Sequence, residues 1–290
     1  MLAQISLTPT ESKKLISMAI VQMEVVKRAA REGIVVMHPS SSIYFIAEAL
    51  AGRKPATDVW LCGAIVPKGA CVEKSVFEGS HSVAHPGGYT PRAFGHSLVF
   101  EHGVLSQGEP LESLLERLKP TDVYIKGANA LDVEGNVGVL IGSGAKGGTI
   151  SRVVAARKQK EFNLIFPVGL EKLIPVTVKE ASAAARGKFN DYSMGIACSM
   201  LPINFGTVVT ELKAFSILSG VVATPIAAGG VGGAEGAITL VLEGDKEQMT
   251  KAISYAEQSK GAVLPQVRLH SCANCANHSC DFPMVGKPWA

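Results

Sequence analysis

Residues 34–50 read Ile34-Val35-Val36-Met37-His38-Pro39-Ser40-Ser41-Ser42-Ile43-Tyr44-Phe45-Ile46-Ala47-Glu48-Ala49-Leu50. Ile34 to Met37 is a short, β-rich apolar run, read as a strand. His38 to Ser42 carries turn formers, and Ile43 to Leu50 resumes an apolar pattern at helical spacing. Strand, loop and helix in that order form the unit on which open α/β sheets build ligand sites.

The pattern extends in both directions. Residues 9–31 read as a helix, with Thr10 or Ser12 as N-cap, an apolar stripe of Leu15, Ile16, Ala19, Ile20, Met23 and Val26, and Gly33 at its end. Residues 58–66 read as a strand. A long Gly-, Pro- and His-rich stretch follows, including His-Ser-Val-Ala-His-Pro-Gly-Gly-Tyr-Thr-Pro-Arg-Ala-Phe-Gly-His at 81–96. Loops of this length in compact domains are often functional. Strands are then expected at 98–101, 122–128, 135–142 and 163–168, and helices at 110–118 and 149–158. This alternation argues for a mainly parallel sheet. Near residue 180 the character changes. Strands at 194–200, 207–209, 221–227, 237–243 and 262–269 accompany helices at 211–218 and 246–259. The expectation is an α/β domain over 1–180, a smaller α+β unit of possible ferredoxin-like form over 181–268, and a Cys-rich tail over 269–290.

Composition narrows the function classes. The chain is 47% hydrophobic, ample for a core, and 18% charged with 30 glycines, which suits buried strands joined by tight turns. The same low charge makes a homo-oligomer the expectation. A formal net charge of +3 with no Lys/Arg run longer than a pair offers no electrostatic footprint for nucleic acid. No apolar stretch approaches the ~20 residues of a membrane helix, and the first residues lack a signal-peptide pattern, so a cytoplasmic protein is expected.

Three segments carry candidate chemistry. Ser40, Ser41 and Ser42, between a strand and a helix, can bind a phosphate or carboxylate through hydroxyls and helix N–H groups; ordinary N-capping is the simpler account. The second segment runs from Asp122 to Thr149. Asp132 and Glu134 are candidate acid/base groups. Asn129, Gly142, Ser143, Gly144, Lys146, Gly147, Gly148 and Thr149 are candidate anion ligands, with glycines letting backbone N–H groups approach. A plain β-hairpin turning at Glu134-Gly135-Asn136 competes with that reading. The third segment is the tail. Cys272 and Cys275 have C-x₂-C spacing, and Cys280 with His278 can complete a zinc site or hold part of an iron–sulfur cluster. A redox dithiol and an unliganded tail are the alternatives.

The run IVVMHPSSSIYFIAEAL resembles the first strand–loop–helix of ribose-5-phosphate isomerases, where a Gly/Ser/Thr loop binds the sugar phosphate. KGANALD and GNVGVLIGSGAKGGTI resemble that family's acidic strand end and its Lys-Gly-Gly-Gly segment. FNLIFPVGLEKLIPV resembles a strand of LUD domains. Together these similarities, in order over residues 12–176, mark the chain as resembling the NagB/RpiA/CoA-transferase-like superfamily. The resemblance implies its α/β sheet and an anionic small-molecule ligand. The isomerase's acidic pair is replaced by Lys126 and Asn129, which cannot serve as carboxylate bases. The reading is therefore an enzyme acting on a small phosphorylated or CoA-linked metabolite, of isomerase or transferase type, with a metal-bearing tail. Its rivals are a non-catalytic ligand and metal sensor, and an iron–sulfur redox accessory protein.

Overall fold

The computed structural model describes residues 1–55, 64–71, 95–142, 148–266, 272 and 280–282. The first helix shows how the sequence sets the local structure. Thr8, rather than Thr10 or Ser12, is the N-cap of α1 (Pro9–Gln22). Its Oγ1 accepts the Glu11 N–H at 3.4 Å, and Glu11 Oε2 accepts the Thr8 N–H at 2.9 Å, a reciprocal capping box. Pro9 fits the first helical position, where no N–H is needed. The expected single helix over 9–31 is broken at Met23 (ψ 132°), and α2 (Glu24–Glu32) follows.

The centre is a six-stranded mixed sheet in the order β12-β10-β7-β2-β5-β6. Strands β2 (Ile34–His38), β7 (Val123–Lys126), β10 (Asn163–Pro167) and β12 (Thr207–Val209) run parallel. β5 (Gly95–Glu101) and β6 (Val104–Gly108) continue the sheet antiparallel. Alternate residues face two cores. Val35, Met37, Val123, Ile125 and Ile165 pack with α1, α2, α3 (Ser41–Ala51), α7 (Glu211–Ser219) and α8 (Lys246–Ser259). Ile34, Val36, Tyr124, Leu164 and Phe166 pack with α4 (Leu111–Arg117) and α5 (Gly148–Lys160). The chain is thus a mixed α/β protein with a largely parallel central sheet, as expected at that level. Among the described residues, no helix is long and apolar enough to cross a membrane.

Three small sheets flank the centre. β8 (Ala130–Leu131) and β9 (Val137–Gly142) form a hairpin extended by β11 (Cys198–Ile203). β3 (Ala64–Val66) and β4 (Gly69–Cys71) form a separate hairpin, so β3 pairs outside the central sheet. The third sheet is β1-β14-β13, built from β1 (Leu2–Leu7), β14 (Ile238–Glu243) and β13 (Val222–Ala228). The expected boundary near residue 180 is crossed repeatedly: β12 joins the central sheet, β11 pairs with β9, and β1 pairs with β14. The expected last strand is not formed over 262–266, where the chain is irregular. β1, at the opposite end of the sequence, lies beside β14 instead. α6 (Val178–Ala184), with its own Thr177/Glu180 capping box, was not foreseen.

Candidate functional site

Parallel strands aim their C-terminal ends at one edge of the sheet, and the loops leaving β2, β7 and β10 meet there. Ser40 is the N-cap of α3 with an extended backbone (φ −162°, ψ 170°), yet its side chain makes no capping bond. Its Oγ is buried and finds no hydrogen-bond partner among the described residues. Its carbonyl accepts the Ile43 and Tyr44 N–H groups at 3.1 and 3.2 Å, so the helix starts without the hydroxyl. Opposite stands Gly127, just past β7; a Cβ there would lie 3.0 Å from Ser40 Oγ. One strand position earlier, His38 and Lys126 are register partners, and both are buried. By the two-residue period they share the face of Ile34, Val36 and Tyr124. Ser41 opens α3, and Ser42 is buried within it.

A second group of polar side chains occupies the same edge from the α1 and α7 side. Glu211, the first residue of α7, is completely buried. Its two oxygens receive the Leu170 N–H at 3.2 and 2.9 Å, and the Ser12 side chain also bonds to it. Burial pushes its carboxyl up to about 7. Lys13 Nζ reaches Glu171 Oε1 at 3.1 Å. Glu171 Oε2 is buried with no hydrogen-bond partner among the described residues. Lys172 Nζ donates to the Ala128 carbonyl at 2.6 Å, next to Gly127. Burial pulls its ammonium below the usual lysine range, opposed by Glu171 and Glu211 and aided by Lys13. A carboxyl and an amine displaced toward neutrality in one place are a frequent mark of a functional site.

The hairpin candidates take a different place. Asp132 is buried and accepts the Asn136 N–H at 2.8 Å, the Glu134 N–H at 3.1 Å, the Val178 N–H at 3.0 Å and the Asn136 amide at 3.2 Å. Burial works to raise its carboxyl, and these donors outweigh it and hold the group below the usual aspartate range. It ties the β8–β9 turn to α6. Glu134 is exposed and accepts from the Asn136 amide. Asn129 Oδ1 accepts the Leu140 N–H at 3.0 Å across the same hairpin. Gly142 ends β9 opposite Cys198, and Gly148 and Thr149 open α5. Ser143, Gly144, Lys146 and Gly147 lie outside the described residues, as do most of the 81–96 stretch and 58–63. The glycine-rich residues 229–236 link β13 to β14 as a hairpin, with the Gly229 N–H bonded to the Ala237 carbonyl at 2.7 Å.

In the tail, Cys272 and Cys280 are half-buried and form no disulfide, while Cys275 and His278 lie outside the described residues. Cys280 Sγ accepts the Gly195 N–H at 3.2 Å, and Asp281 exchanges two bonds with Ser193, at 2.8 and 2.9 Å. Among the described residues, no three His, Cys, Asp or Glu side chains converge as a metal site.

No protein-family model matches this chain, and no match is found among the curated proteins or the solved structures. The polar edge itself is therefore the basis for a functional reading. Ser40 was visible in the sequence. Glu171, Lys172 and Glu211 were not singled out, because their significance lies in burial rather than in motif. The signal available was two charges, Glu171-Lys172, set directly after a buried strand.

Proposed function

We propose that the C-terminal edge of the central sheet binds a small anionic metabolite, phosphorylated or CoA-linked, and acts on it by proton transfer. The observation that carries this reading is the buried Ser40 hydroxyl, unused as a cap and without a partner among the described residues, at the start of α3 and facing the bare backbone of Gly127. A buried polar atom without a partner costs roughly 1–3 kcal/mol, which a ligand accepting its hydrogen bond relieves. The α3 N-terminus favours negative charge, and His38 and Lys126 supply basic groups beside it. Glu211 and Lys172 fit proton transfer better than Asp132, whose lone pairs already hold the hairpin. The order of the motifs over 12–176 supports a NagB/RpiA/CoA-transferase-like sheet; the low share of charged residues supports a homo-oligomer, and apolar stretches too short for a membrane helix suit a cytoplasmic one.

Thermal shift against phosphate esters, acyl-CoAs, nucleotides and folates tests the reading. A ligand at ~100 Kd adds roughly 2.7 kcal/mol to apparent stability. Ser40→Ala is expected to cancel most of the shift while the unliganded protein melts no lower. No shift with any class, or an undiminished shift in Ser40→Ala, refutes the assignment.

A second reading concerns the tail, where Cys272, Cys275, Cys280 and His278 hold zinc or an iron–sulfur cluster. It is favoured by the bonds that tie Cys280 and Asp281 to the 193–195 segment and so hold this end of the tail against the body. Elemental analysis is expected to find stoichiometric metal in the purified chain and none in Cys275→Ser. Unchanged metal in that variant removes this reading and leaves the sheet-edge site standing.

A further inference from the structure

The geometry points to Glu171 as the second pole of the ligand site, its Oε2 accepting a hydrogen bond from a hydroxyl or ammonium at the far end of the bound anion. The inference rests on the anion site proposed above and specifies what that site holds. Glu171 follows β10 as Ser40 follows β2, and β7 lies between the two strands. Two strand spacings, about 10 Å, separate β2 and β10 across β7. Gly127 follows β7, and among the described residues only Ser40 comes within 4 Å of where a Cβ on it would stand.

The carboxylate is held for this task. Lys13 fixes Oε1 at 3.1 Å, which leaves Oε2 as the uncommitted oxygen. Gly169 has no side chain, and a Cβ there would fall on Oε2. Its backbone (φ −73°, ψ 150°) is open to any residue, so the need is for space and not for glycine's flexibility. A buried carboxylate oxygen with no donor is costly, and a structural ion pair with Lys13 alone has no use for it. A ligand donor completes it. The ligand is then a bifunctional molecule, anionic at one end and a hydrogen-bond donor at the other.

A molecular ruler tests this. Dissociation constants are measured by calorimetry for straight-chain alkyl phosphates of three to seven carbons, and for the same chains ending in a hydroxyl or an amine. At one length only, the terminal donor is expected to improve affinity about tenfold or more, the size typical of a hydrogen bond to a charged group. Glu171→Gln is expected to abolish the amine's gain, because an amide nitrogen replaces one carboxylate oxygen. Gly169→Ala, which keeps every charge, is expected to remove both gains by displacing Oε2. Unsubstituted alkyl phosphates are expected to bind both variants within about twofold of the parent. If alkyl phosphates bind but no terminal donor improves them at any length, or if the gain survives both variants, Glu171 is not the second pole. If no alkyl phosphate binds at all, the anion site falls, and this inference falls with it.

Discussion

At Glu211 a carboxyl with no exposed surface meets the Leu170 N–H, its own backbone N–H and the Ser12 side chain. The consequence for stability has a definite sign. Its folded value is about 7 against an ordinary 4.5, so the folded protein binds more protons than the unfolded chain between those values. Stability attributable to this group therefore falls as pH rises from about 4.5 to about 7 and is level above that. The full change is about 3 kcal/mol. Glu211→Gln carries no titrating proton, so its stability is expected to lose this slope. Urea unfolding of both proteins at pH 5 and pH 8 measures the difference; parallel profiles would show that Glu211 ionises normally. Asp132 works in the opposite direction. Its carboxylate contributes stability at neutral pH that is lost as pH falls below the ordinary aspartate range. Asp132→Asn puts an N–H group among N–H donors and is expected to cost about 1–3 kcal/mol at pH 7. If Asp132 instead acted on the ligand, binding would suffer while the melting temperature stayed unchanged.

The elements differ in how legible they were. Strands buried on both faces, β2, β7 and β10, stood out as continuous apolar runs. α8 stood out by its helical stripe, and the Asp245/Gln248 box caps it. β1 was missed because only Leu7 of Leu2–Leu7 is fully buried, with Ala3 and Ile5 half-buried, and its pairing with β14 spans nearly the whole chain. The break at Met23 was missed because the apolar spacing runs on through it. In the candidate site, Ser40 was legible from its place between strand and helix. Glu171 and Glu211 were not, since burial is created by elements distant in sequence. The β3–β4 hairpin shows the same limit. It is held to the 194–196 segment by Ala70, whose carbonyl accepts the Ile196 N–H at 2.6 Å and whose N–H donates to the Met194 carbonyl at 3.2 Å. Gly195 has φ +78°, and a Cβ there would collide with the Ala70 backbone. Gly195→Ala is therefore expected to detach this hairpin and raise amide exchange at Ala70 and Ile196. Unchanged exchange there would show that the contact is not maintained in solution.

Across the whole molecule, segments far apart in sequence close the structure. The Met1 carbonyl accepts the Gly244 N–H, and Lys260 Nζ and the Gly261 N–H both bond to Glu11, at 2.7 and 3.0 Å. Glu11 thus caps α1 and anchors the exit of α8. Beyond that exit, Cys280 and Asp281 are fastened to Ser193 and Gly195, on the segment that also holds β4. A chain shortened after Gln266 tests whether this fastening stabilises the body or merely rests on it. Among the described residues, the bonds lost to the body are the Ser193 N–H to Asp281, the Asp281 N–H to Ser193 and the Gly195 N–H to Cys280, each worth roughly 0.5–1.5 kcal/mol. None touches the central sheet. The shortened protein is expected to exchange the Ser193 and Gly195 amides at least tenfold faster, while Val36, Tyr124 and Ile165 stay protected as in the full chain. Hydrogen exchange resolves the two sets. Acceleration confined to 193–195 would make the tail a local clamp. Acceleration spreading to Tyr124 would mean that the tail supports the central sheet and that the three bonds understate its role.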